Sequence, residues 1–138
     1  MRIVNSLAIE IVNLITAKFL VGGVGRLDWM TGTQPANADV AISAQQVVGS
    51  STLNGTPFPA AVDATDKATA TANAIAPVTA TLAGTNTVTW FRAYDGAGAV
   101  IEDGSAGTSG TDAILNNASF ELDDSIEVNS FTITMPEF

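Results

Sequence analysis

The chain has 138 residues, 46% of them hydrophobic and 14% charged, with no histidine, no cysteine and a formal charge of −9. That length suits one domain with a core of its own; the missing cysteine excludes disulfides and thiolate metal sites, and the missing histidine removes the commonest general base and metal ligand. Up to Arg92 five basic residues balance five acids, whereas from Ala93 onward nine acids stand without a base, a surface that repels a phosphate backbone and argues against nucleic-acid binding.

Residues 2–19 carry Val4, Leu7, Ile11, Leu14 and Ile15 at helical spacing, opposite Arg2, Ser6, Glu10, Asn13 and Thr16. The pattern predicts an amphipathic helix of about five turns. Glu10, Asn13 and Lys18 interrupt what a signal peptide would keep apolar, and no apolar run approaches the roughly 18 residues of a membrane span. The helix either folds onto its own sheet or lies as an arm on a neighbouring subunit, with Val4, Leu7, Ile11, Leu14 and Ile15 as the partner-binding residues.

Beyond Gly22, Gly23 and Gly25 the period changes to two. Strands are predicted over 26–30 and 40–48, separated by a turn at 31–35. Asn54-Gly55 and the prolines at 57 and 59 mark a loop. Residues 67–82 hold one phase throughout, with a face of alanines, and Pro77 makes this stretch an edge strand or two strands joined at the proline. Residues 87–94 form the richest strand, covered on both faces. Asp95-Gly96 turns into a strand at 99–102, a glycine- and serine-rich loop follows from Asp103, and 113–115 resumes a strand. Phe120, Leu122, Ile126 and Val128 are out of phase with Phe131, Ile133 and Met135, which a bulge near Asn129 and Ser130 reconciles. About eight short strands at this spacing predict a mainly β fold: an antiparallel, jelly-roll-like β-sandwich over 22–138, preceded by the helix or arm at 1–21.

The residues left for catalysis are carboxylates, Lys18, Lys67, Tyr94 and hydroxyls, and no motif pairs them. The chain is therefore read as no enzyme, with no catalytic, cofactor-binding or metal-binding residue. Gly22-Gly-Val-Gly25 follows a helix and lacks the lysine of a phosphate loop, so it reads as a hinge. Asp95, Asp103, Asp123, Asp124 and Glu127 invite a calcium site but lack a calcium-loop spacing, and read as turn and surface acids. Trp29, Trp90, Phe91 and Tyr94 read as packing residues, with a sugar-stacking platform as the rival.

The strings LDWMTGTQP at 27–35, WFRAYD at 90–95, GSAGTSG at 104–110 and SFTITMP at 130–136, following an amphipathic helix, resemble small virion proteins of tailed bacteriophages. The resemblance implies a structural protein on the capsid surface or tail. Its leading form is a capsid cement or decoration subunit that stabilises the shell by contacting major capsid protein or other virion proteins, as a homo-oligomer and without nucleic-acid or membrane contacts. The alternatives are a tail, neck or head-fibre module, or a carbohydrate-binding receptor domain.

Overall fold

The computed structural model describes residues 1–137. It is mainly β, with one N-terminal helix, α1 (Asn5–Lys18), and twelve strands. These are β1 (Arg26–Met30), β2 (Val47–Thr52), β3 (Val62–Ala64), β4 (Lys67–Thr71), β5 (Val78–Thr79) and β6 (Asn86–Thr87), then β7 (Trp90–Tyr94), β8 (Val100–Gly107), β9 (Ala113–Leu115), β10 (Ser119–Phe120), β11 (Ser125–Ile126) and β12 (Val128–Pro136). Eight of them form one sheet in the order β2-β1-β7-β8-β9-β12-β4-β3, and β10-β6 and β11-β5 form two small sheets.

The sheet is mixed, not wholly antiparallel as its periodicity implied. β8 and β9 run parallel, pairing Ala106 with Ala113 and Gly107 with Ile114. A parallel pair usually needs a long crossover; here a short loop suffices because Asp112 Oδ2 accepts bonds from both the amide and the hydroxyl of Ser105, at 2.9 and 2.8 Å. β12 shifts register between Val128 and Ser130, at the expected bulge. The alanine-rich stretch breaks before Pro77 into β4 and β5, as the missing proline donor requires. β4 itself lies inside the sheet between β12 and β3.

The strand expected over 40–48 forms only at its end, where Val47 and Val48 begin β2. Residues 40–46 are bend and irregular chain, because side chains bond the local backbone instead: Asn37 Oδ1 accepts from the Asp39 amide and Gln45 Oε1 from the Ser43 amide. β2 begins only at Val47 and pairs with β1. The segment 31–46 crosses the outer face of β7, where Trp90 Nε1 donates to the Thr31 carbonyl and Arg92 Nη1 to that of Val40. Trp90 and Arg92 are therefore buried on a face that an open sheet would leave wet.

Helix α1 lies against β4 and β12. Ala8 and Val12 face inward and are fully buried, and Ala68 and Ala70 on β4 are buried beneath them. Small residues on both sides let helix and sheet approach closely. Phe19, just past the helix, joins an aromatic chain: it meets Phe58 at 5.3 Å and Phe131 at 6.0 Å, Phe131 meets Phe91 at 5.2 Å, and Phe91 meets Trp29 at 6.1 Å. Residues 1–21 thus form an integral layer of the fold, so deleting them would open the core rather than release a detached arm. Gly25 sits where any Cβ would strike the Tyr94 carbonyl, and Gly96 packs directly on Gly23. The glycine run is a close backbone crossing rather than a free hinge.

Candidate interaction surface

The helical spacing of the apolar residues fits two stripes, and the structure buries the smaller one. Ala8, Val12 and Phe19 are buried, and Ile15 is partly buried against the same core. Of the stripe expected to bind a partner, Val4 is 67% exposed, Leu7 41% and Leu14 64%, and Ile11 is half-buried. Four of the five residues, Ile15 excepted, therefore share a flank that the sheet does not cover. Leu20 and Val21, past the helix, are also exposed, but Leu20 lies on another side, beside Asn13, Thr16 and Ala17. Beside Ile11 a cavity of about 210 Å³ is lined by Met1, Ile3, Ile11, Met135, Pro136 and Glu137.

The acidic third does not act as one outward-facing surface. Asp95 is buried and its Oδ1 accepts the Ala97 and Ala99 amides, closing the turn between β7 and β8. Asp103 is almost wholly buried with Arg92: Nε to Oδ1 is 2.6 Å and Nη2 to Oδ2 2.7 Å, with both side chains 3% exposed. This two-pronged contact pushes the Arg92 guanidinium pKa up from its already high value. Across β1, Arg92 registers with Asp28, which accepts from Arg26 at 3.1 Å and from the Ser50 hydroxyl at 2.7 Å. Arg26 lies over the Tyr94 ring at 4.1 Å. Burial, with Asp28 nearby, pushes the Tyr94 phenol up. The charges on this face hold the sheet and the segment 31–46 together. Among the described residues no group of three acidic side chains is close enough to hold a metal ion.

Glu102 lies on the inner face, in a cleft of about 210 Å³ shared with Ile15, Phe91, Asp112, Thr132 and Met135. Burial, reinforced by the charges of Asp112 and Asp103, pushes its carboxyl up to about 7 from an ordinary 4.5. A raised carboxyl favours the folded state when protonated, so its contribution is fully present below pH 4.5 and is lost as pH rises through about 7. At about 1.4 kcal/mol per pH unit the ceiling on that loss is about 3 kcal/mol, and water reaching the cleft reduces the expectation to about 2. Glu102→Gln is therefore expected to stabilise the protein by about 2 kcal/mol at pH 8 and by nothing at pH 4. Urea unfolding at the two pH values checks this, and an equal difference at both would refute it.

The four aromatic residues singled out from the sequence do not form a sugar platform. Trp29, Trp90 and Phe91 are buried, and Trp29 Nε1 is satisfied by Ser51 Oγ at 2.9 Å; only Tyr94 keeps part of its surface. Sequence reasoning missed Phe19 and Phe58. Phe19 carries a signal, seven residues after Val12 on the buried stripe, whereas Phe58 stands in a loop between prolines with none. Glu102 also gave no signal, since its perturbation depends on strands distant in sequence. Comparison with protein-family models, with curated proteins and with solved structures finds no match to this chain.

Proposed function

We propose that the chain is a structural protein of a tailed-bacteriophage virion, a capsid cement or decoration subunit that stabilises the shell by contact with other virion proteins, major capsid protein foremost. The reading takes the eight-stranded sheet, with helix and small sheets against it, as a sandwich-like body built to be bound rather than to bind a small molecule. The observation that supports it is the uncovered apolar flank of α1, where Val4 at the N-cap and Leu7 and Leu14 on the helix are exposed beside the face that is already anchored. Exposed apolar side chains gathered on one flank of a folded domain favour a protein–protein contact. Burying such surface stabilises by about 25 cal/mol per Å², so roughly 100 Å² already outweighs an exposed ion pair of about 0–1 kcal/mol. A subunit that binds only the assembled lattice stabilises that lattice by mass action.

Leu7→Glu and Leu14→Glu together are expected to leave melting unchanged and abolish binding to purified shells lacking the protein. Full occupancy by this variant would remove the flank from the proposal. Copy number per wild-type particle separates the positions: hundreds of copies fit a shell protein, whereas a handful would place the chain in the tail, neck or fibres.

A further inference from the structure

We infer that the flank of α1 takes α1 of a second copy of this chain, antiparallel about a two-fold axis, so that Leu14 of each copy lies over Val4 of the other. The inference rests on the reading of that flank as a protein interface and names its occupant. Val4, Leu7, Ile11 and Leu14 follow one another by three, four and three residues, the spacing of a two-heptad seam whose side chains interlock with those of a facing helix. The adjacent stripe of α1 is committed to β4 and β12, and no other helix of the described residues reaches the seam. α1 is the one helix among the described residues, and only another copy brings an identical seam. An isologous two-fold contact of this kind closes on itself.

Direction follows from charge and shape. In a parallel pair Lys18, the next residue of the seam, would face Lys18 of the other copy, whereas the antiparallel register separates the two lysines and leaves Glu10 of each copy beside the two-fold axis. The antiparallel register forms the layers Val4 with Leu14 and Leu7 with Ile11, twice over. It carries Lys18 of each copy about one helical turn, ~5–6 Å, beyond Val4 of the other. There the second copy presents a hollow lined by Arg2, Ile3, Asp66 and Glu137, in which acids outnumber the base. Glu137 Oε1 is buried there without a hydrogen-bond partner among the described residues, and an approaching ammonium relieves the cost of an unpaired carboxylate oxygen. The same register brings Leu14, the most exposed leucine of the seam, beside the apolar cavity that Ile3 and Ile11 help to line. Each copy thus has one projecting side chain and one cavity on the same flank, as an isologous contact requires.

The full chain is the material for the test. Sedimentation velocity across a concentration series is expected to show a monomer–dimer equilibrium, and Leu14→Glu to weaken it at least tenfold without changing the circular dichroism spectrum or the melting temperature. The chain has no cysteine, so Val4→Cys and Leu14→Cys each introduce a unique thiol. Oxidising a mixture of the two variants should give the cross-linked heterodimer, with little cross-linking of either alone. A wild-type chain monomeric at every concentration overturns the pairing, as does Leu14→Cys cross-linking to itself in preference to Val4→Cys. If the wild type is monomeric while Leu14→Glu still abolishes shell binding, the pairing fails and the virion-interface reading stands. If the wild type dimerises through Leu14 while shell binding is indifferent to the substitution, the pairing stands and the flank is not the shell contact.

Discussion

Asp103→Ala is expected to lower the unfolding free energy by about 3–5 kcal/mol, because it leaves the Arg92 guanidinium buried without its counter-charge. Both side chains are nearly inaccessible and joined by two short bonds, so water cannot replace the lost carboxylate. The remaining Arg92 bond to the Val40 carbonyl keeps the charge in place rather than letting it swing out. Replacing the pair together, by Arg92→Met with Asp103→Leu, removes both charges and fills a similar volume; it is expected to recover most of the loss, since burying an ion pair costs desolvation that apolar side chains avoid. Urea denaturation of the single and double variants tests both halves. A single variant that loses less than about 1 kcal/mol would mean that the pair is solvated and contributes like a surface bridge.

Phe131→Ala is expected to cost about 3–5 kcal/mol, the range for removing a large buried aromatic ring. Phe131 is the hub of the aromatic chain, meeting Phe19, Phe58 and Phe91 at 6.0, 5.6 and 5.2 Å. Its loss opens a void where the helix end, the loop bearing Phe58 and two strands meet, four parts that cannot all move in to fill it. Against a typical total stability of about 5–15 kcal/mol, such a variant would be close to unfolding at ambient temperature. The thermal midpoint checks this, with Leu14→Glu as the control: a variant on the exposed flank should melt like the wild type, and Phe131→Ala many degrees lower.

The parts of the fold legible in the sequence are those dictated by local chemistry. Alternation marks β1 and β7, the missing proline donor divides the alanine-rich stretch at Pro77, and the phase change after Val128 marks the bulge in β12. The helix was equally legible, but not its inward face, because apolar residues occupy two adjacent stripes. Bulk alone favours Val4, Leu7, Ile11 and Leu14. The alanine floor of Ala68 and Ala70 instead selects Ala8 and Val12, whose short side chains permit close contact. The part of the expected strand over 40–46 has alternation but lacks a partner, and Asn37 and Gln45 draw its backbone into turns. The parallel pairing of β8 with β9 depends on Ser105 meeting Asp112, a contact that no periodicity announces. For the candidate surface, four of the residues named from the sequence share an uncovered flank, while the cavity at Ile11 and the cleft at Glu102 arise only when β8, β12 and α1 come together.

The placement of α1 across β4 and β12 also sets an order of events during synthesis. The helix ends at Lys18, and β12 begins only at Val128. A ribosome adding about 5–20 residues per second exposes the helix for several seconds before its second supporting strand exists. β1 likewise waits for β7, and β4 for β12, so the pairings that join the sheet's consecutive-strand units into one are not local. Such topologies fold slowly, on the order of milliseconds to seconds after the chain is complete. Throughout that interval both stripes of α1 are bare, and the nascent chain is most prone to stick to its neighbours on the polysome. Chaperone dependence of expression should therefore track the hydrophobicity of the first twenty residues rather than the stability of the finished fold.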